Sequence, residues 1–497
     1  MPSAGGGTRD GLANGRDGVD FGEYARHDAV ALADLVRRRQ VTPAELLALA
    51  RARAEAVGPH LGCVSIDDGD FAEAHLARGV RDGPFAGVPL LLKDLYAFLA
   101  GTRISNGSRL VRDWTAPSDA TLVVRLLAAG FVPFAKTTSP EFGLNVVTEP
   151  VLHGACRNPW DPAFSPGGSS GGAAAAVAAG VVPVAHASDG GGSIRIPASH
   201  CGLVGLKPSR ARTPVGPAVG EVWSGLAVGF VLTRTVRDAA AVLDVLAGPE
   251  PGDLYASPEP GGRFADALDR DPGRLRIGLL RRPPHPAVRV HPEVAAVVEA
   301  AADFLDGLGH AVEETDVPLD GARFAEAFLA VVAVNVARDV AWWSRTTGRP
   351  ADGEHLETAT LALVERGRAL SAVAFLEALR TVQGAARALG RVFARFDLLL
   401  SPVCALPPPR VGEIDQNGPD PEAFLARNLP YVTFTHVYNA AGCPALALPF
   451  GRTGAGLPVG IMLGAPLGAE TRLLALAAVL ERARPWPRLA PFAPPPR

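Results

Sequence analysis

Lysine is almost missing from this chain. Of its 48 basic side chains only Lys93, Lys136 and Lys207 are lysines, and the rest are arginines. Such a bias puts arginine wherever either cation serves. A surviving lysine is therefore a candidate for work arginine cannot do, above all giving up its proton, against the plain alternative of chance or an exposed charge. Cysteine is scarce too. Cys63, Cys156, Cys201, Cys404 and Cys443 lie far apart with no C-x-x-C pair. That spacing argues against a disulfide framework or a metal site and suits buried thiols in a reducing compartment. There is no excess of one charge: the formal net charge is −3, which gives nucleic acid or an anionic membrane nothing to bind. Nor is there a long apolar run. The most membrane-like stretch, AAAAVAAGVVPVA at 173–185, contains Gly180 and Pro183 and falls short of the about 20 residues a spanning helix needs. It reads as a buried helix turning into a buried strand. Residues 1–20 are glycine-rich, carry both charge signs and lack the apolar core of a signal peptide. They read as a disordered tail on a cytoplasmic protein.

What remains is an ordinary globular composition, 48% hydrophobic and 20% charged over 497 residues, enough for one large core or two to three smaller ones. Residues 28–53 carry apolar positions at helical spacing, with Thr42-Pro43 opening a second helix. FAGVPLLLKDL (85–95) reads as a buried strand delivering Lys93 at its end. Residues 119–130 read as a helix ended by glycine, followed by the strand FVPFAK. The stretch 167–180 begins as a glycine loop and continues as an alanine helix, after which VVPVAHA forms a strand. LVGLKP, LRIGLL, DLLLSP, PALALPF and PVGIML supply further strands. Alternating strand and helix implies an α/β fold on a mostly parallel or mixed sheet. Residues 320–396 are almost wholly helical in pattern and read as a cap. The expected layout is a single domain over 21–490 containing that cap, with a proline-rich tail at 491–497.

Three stretches carry chemistry. SPGGSSGG (165–172) fits G-x-S-x-G around both Ser169 and Ser170, but an α/β-hydrolase elbow needs a hydrophobic strand just before it, and NPWDPAFSP cannot form one. A phosphate loop fails as well, since no G-K-[ST] follows. The second stretch is HASDGGGSIRIPASHCG (186–202). Three glycines running into a serine are commonly a surface turn. The sharper reading is that the N–H groups of Gly190, Gly191, Gly192 and Ser193 converge on an anion or a developing oxyanion beside the Ser193 hydroxyl. Asp189 and Arg195 flank this loop and fit a structural ion pair that supports it. The third is Lys93. A serine nucleophile needs a base, and His186 and His200 are nearby in sequence, but each reads as packed in or near the core. Lys93, on an apolar strand, is the competing base, because burial disfavours its ammonium form. Lys207, in GLKPS, reads as structural.

Taken together, GVPLLLKD, SPGGSSGG and SDGGGSIRIPASHCGLVGLKP resemble the amidase signature family, most closely its 6-aminohexanoate-cyclic-dimer hydrolase and aryl-acylamidase group. The resemblance runs from about residue 28 to the C-terminal tail. It implies the family's fold, a central mixed β-sheet covered by helices on both faces with a helical cap region. It also implies a Ser-cisSer-Lys triad of Ser193 as nucleophile, Ser169 as bridging serine and Lys93 as base. The oxyanion hole would fall on Gly190, Gly191, Gly192 and Ser193, and the peptide bond before Ser169 would be cis, a costly geometry that marks functional constraint. GFVLTRTVRD (229–238) departs from the family pattern, which often has Gly-Pro before the arginine. The implied activity is hydrolysis of a linear or cyclic carboxylic amide of the nylon-oligomer or aryl/acyl type, without metal or organic cofactor. The implied partner is a small-molecule amide, with no nucleic acid and no membrane, and a homodimer is left open. The rival readings are the glutaminase-type subunit of an amidotransferase and a non-catalytic amidase-like binding protein.

Overall fold

The computed structural model describes residues 19–494. The N-terminal tail as far as residue 18, and residues 495–497 of the C-terminal stretch, lie outside the described residues. The described part of the tail region is anchored: Asp20 caps the helix Phe21–Arg26 by accepting the Glu23 N–H.

Among the described residues eleven strands form one sheet. In chain order they are β1 (Val64–Asp67), β2 (Pro89–Lys93), β3 (Val132–Thr137), β4 (Val184–Asp189), β5 (Val204–Lys207), β6 (Val228–Thr233), β7 (Arg276–Leu279), β8 (Ala311–Glu314), β9 (Leu398–Pro402), β10 (Ala445–Arg452) and β11 (Pro458–Gly464). Their spatial order is β1-β3-β2-β4-β6-β5-β10-β11-β9-β7-β8. The sheet is mixed, with β3, β2 and β4 parallel at one side and β8, β7 and β9 parallel at the other. Antiparallel pairs join them through β6, β5, β10 and β11. Helices flank the sheet, so β2, β3, β9 and β11 are buried along their whole length. This is why they read as continuous apolar runs and not as alternating strands.

Three strands lie outside the runs read from the sequence. β1 and β8 are short and half polar at the sheet edges. β6 falls within the segment that departs from the family pattern, and it is an interior strand between β4 and β5. The following Arg234 is buried and donates to the carbonyls of Ala25 and His27, tying β6 to the N-terminal helices.

Two helices matter most for the site. Gly171–Ala178 has all eight residues buried and packs against β2, β3 and β4. Its small side chains permit that approach: a Cβ on Gly172 would stand 2.5 Å from the Thr138 nitrogen and 2.6 Å from its carbonyl oxygen. Arg195–Cys201 follows the glycine loop, is also wholly buried, and packs on β5, β10 and β11. The segment 320–396 holds the helices Gly321–Thr347, Thr358–Ala369 and Ala372–Phe393. Among the described residues no helix is long and apolar enough to cross a membrane.

Candidate active site

β2 and β4 are parallel neighbours, and their C-terminal ends place Lys93 and Asp189 at the same edge of the sheet. Such an edge is where open α/β sheets hold ligands. Lys93 is fully buried, and its Nζ donates to Ser169 Oγ at 2.7 Å and to Ser188 Oγ at 3.0 Å. Burial draws its pKa from the ordinary 10.5 down to about 7, against the opposing pull of the Asp189 carboxylate. Near neutral pH an appreciable share of Lys93 is therefore the free amine, with a lone pair to offer.

Ser169 reaches Lys93 because the glycines before it let the loop sink into the protein. The Gly168–Ser169 peptide bond is cis. A Cβ on Gly168 would meet the carbonyl oxygens of Val147 at 2.4 Å and Asn145 at 2.6 Å, so backbone packs where a side chain would be. Ser170, the other serine that fits the G-x-S-x-G pattern, exchanges longer hydrogen bonds with the backbone of Ser188. It braces the strand end that supplies the second acceptor for Lys93.

The glycine loop answers the question its sequence raises position by position. Among the described residues, the N–H groups of Gly190, Gly191, Gly192 and Ser193 have no hydrogen-bond acceptor, whereas the next one, of Ile194, donates to Asp189 at 3.2 Å. Gly192 has φ +142°, and a Cβ there would collide with Thr435 Oγ1 at 2.6 Å and Ile196 at 2.7 Å. At Gly190 a Cβ would press on the Trp223 ring at 2.9 Å. Gly191 is different: the nearest atoms to a Cβ, on Phe328, are 3.9 Å away. Two glycines are required by packing and one leaves space open.

Asp189 and Arg195 form a two-pronged ion pair, both bonds 2.9 Å, with neither side chain exposed. Burial works against ionisation of Asp189, but Arg195, Lys207 and Asn439 outweigh it and hold the carboxyl at about 2. Asn439 donates to both the carboxylate and the backbone carbonyl of Asp189, and Arg195 also donates to Thr435 O. The loop is thus clamped at both ends by one charge pair and by the distant segment 435–439.

The remaining candidates sit elsewhere. His186 Nδ1 accepts the backbone N–H of Lys93 at 3.3 Å, and burial together with the nearby Lys93 lowers its pKa to about 3. His200 is driven by burial to about 3 as well, and neither of its ring nitrogens has a partner among the described residues. Lys136 pairs with Asp68 at 2.6 Å and Thr102 at 2.7 Å, away from the glycine loop. Lys207 donates to the neighbouring Pro208 carbonyl, and burial lowers its pKa to about 7. All three lysines are buried. Among the described residues no group of His, Cys, Asp and Glu side chains gathers as metal ligands would.

Ser169, Ser188 and Ser193 line one cavity of about 100 Å³, walled mainly by apolar side chains. Ser193 also faces a second, more open cavity of about 470 Å³ beneath the helix Gly321–Thr347. Sequence reasoning did not find Ser188, Asn439, Thr435 or Trp223. Ser188 had a local signal, since it precedes the glycine loop at the end of the strand beside Lys93. The other three come from far along the chain and had none.

A family model described as Amidase matches residues 45–474. The chain belongs to the amidase family. Among its curated relatives is the 6-aminohexanoate-cyclic-dimer hydrolase of Paenarthrobacter ureafaciens, 38% identical over 470 residues, which span 92% of this chain and 95% of that enzyme. A solved structure of a 6-aminohexanoate cyclic dimer hydrolase superposes with a TM-score of 0.89 at 37% identity, covering 93% of this chain and 98% of the other. A bacterial aryl acylamidase of the amidase signature family gives 0.83 at 29% identity, covering 93% and 96%. As a member of the amidase family the chain is a hydrolase acting on amide C–N bonds.

Proposed function

We propose that this amidase cleaves its substrate through an acyl-enzyme on Ser193, with Ser169 passing protons between Ser193 and Lys93. The observation that carries the reading is the 2.7 Å hydrogen bond from buried Lys93 to Ser169, which shares a cavity with Ser193 and Gly190, in the loop whose N–H groups have no acceptor among the described residues. With the amine of Lys93 neutral, Ser169 gives it a proton while taking one from Ser193. The Ser193 oxygen then attacks the amide carbon, and the oxyanion forms against the loop N–H groups, which need no reorganisation to receive it. The leaving nitrogen takes a proton back through Ser169, the C–N bond breaks, and the acyl group stays on Ser193. Water, activated along the same path, releases the carboxylic acid. Asp189 and Arg195 take no part in the proton transfers. Their pairing keeps the loop N–H groups aimed at one point.

The substrate we propose is a carboxylic amide, linear or cyclic, of the nylon-oligomer or aryl/acyl type. The test uses the purified single chain on simple amides, without partner protein, ATP or tRNA. Hydrolysis by the native chain, an acyl adduct on Ser193 by mass spectrometry, and loss of both in a folded Ser193→Ala variant are expected. Near-native turnover by that variant would remove Ser193 as nucleophile. Turnover that needed a partner chain would favour an amidotransferase subunit.

A further inference from the structure

Three residues line both cavities at the site: Gly143, Ser193 and Trp223. The first has no side chain and the second is the proposed nucleophile, so among the described residues shared by the two linings only Trp223 puts a bulky ring between the chambers. Its position is held by several independent features. Trp223 and Ser224 both adopt left-handed backbone conformations, φ 51° and 53°, which non-glycine residues rarely do. The ring lies against Gly190, where any Cβ would strike it. Ser224 Oγ accepts from Asn335 Nδ2 at 3.0 Å. Asn335 belongs to the helix Gly321–Thr347, is buried, and also donates to the Val331 carbonyl at 2.9 Å. The helix therefore holds the turn that carries the ring.

The chambers differ in size and chemistry. The inner one, about 100 Å³, is walled by Leu95, Leu122, Val123 and Phe142, and among the described residues no Asp, Glu, Lys or Arg lines it. The outer one, about 470 Å³, is apolar within, at Ile196, Phe328, Leu329 and Phe424, and carries Glu326, Arg366 and Glu422. We infer that Trp223 is a specificity-determining residue that, within the proposed class, makes this enzyme select linear aryl or acyl amides of unequal halves over rings of nylon-oligomer type, with Asn335 as its positioning residue. One side of the scissile bond is a compact, uncharged apolar group held in the inner chamber. The other side is larger and lies in the outer chamber. The inference rests on the proposed cleavage at Ser193, where the chambers meet.

Two substrate series test it: acyl chains of increasing length on a fixed anilide, and N-alkyl amides of increasing length on a fixed acyl group. In the native enzyme one series should collapse once its variable group outgrows the inner chamber, with kcat/KM falling about tenfold or more. The other series should tolerate the same lengthening. Trp223→Ala should erase the collapse, and Trp223→Phe, a milder change for folding, should move its onset to longer chains. Asn335→Ala should shift the onset the same way, seen in KM for the longer members more than in kcat for the shortest. Equal tolerance or equal collapse in the two native series would overturn the inference. So would an unchanged asymmetry in folded Trp223→Ala or Trp223→Phe. Absence of turnover on every amide would instead overturn the hydrolase reading, and this one with it.

Discussion

At the scale of single residues the proposed chemistry turns on Lys93. An arginine there would keep the charge but could not lose its proton, and its planar fork would not fit a position with no exposed surface. Lys93→Arg should therefore lower kcat/KM by about 10²- to 10⁴-fold, the usual worth of a placed proton acceptor. The pH profile separates this base from a histidine. Below about pH 7 Lys93 is mainly the ammonium and has no lone pair, so kcat/KM should rise as pH climbs through about 7 and level off above it. His186 and His200, with pKa values near 3, are already neutral across that range. His186→Gln keeps an acceptor for the Lys93 N–H, so it and His200→Gln should retain both the activity and the acid limb. A folded histidine variant that lost catalysis would restore a histidine-dependent hydrolase.

At the scale of elements, the critical unit is β4, the glycine loop and the helix Arg195–Cys201. Arg195→Met would leave the Asp189 carboxylate buried without its main partner. Removing one member of a buried pair costs about 3–5 kcal/mol, which urea denaturation should report together with lost activity as the loop loosens. The helix behind Ser169 tolerates no growth either. Gly172→Ala would push a methyl into the Thr138 backbone. Overpacking of this kind costs about 1–3 kcal/mol, read as a lowered denaturation midpoint, and an unchanged midpoint would show that the helix can shift. These elements also mark what the sequence made legible. PLLLK, VPFAK and the alanine helix are local patterns whose burial can be read from composition alone, and Lys93, Ser169 and Ser193 stand beside them. β1 and β8 were not legible because short edge strands need little apolar surface. Asn439, Thr435 and Trp223 were not legible because only the folded chain brings segments roughly 30 to 250 residues away onto the loop.

At the scale of the whole molecule, the buried ionisable groups give stability a pH dependence whose sign can be worked out. Burial raises Asp238 and Glu149 to about 7 and Glu357 to about 8. The folded chain holds those protons longer than the unfolded one, so these groups make stability fall as pH rises from about 4 toward 8. Burial lowers His186 and His200 to about 3 and His436 to about 4. There the unfolded chain holds the extra protons, and stability rises with pH up to about 6.5. The two sets oppose each other in the acid range. The histidines have finished titrating by pH 8, whereas Glu357 is still losing its proton there. All five thiols are held above their ordinary range by burial, so they too lower stability as unfolded thiols ionise toward 9. Lys93 and Lys207, each lowered from 10.5 to about 7, pull the other way over the same range. Unfolded, both are protonated there, while folded, both are mostly neutral, so for each lysine unfolding takes up a proton. Comparison with Lys207→Met, which removes one of the two and leaves the proposed base in place, isolates this effect from the carboxyls and thiols. The native denaturation midpoint should gain on that of Lys207→Met between about pH 8 and about pH 9. A difference that stays constant or shrinks over this interval would mean that Lys207 is not neutral in the folded chain.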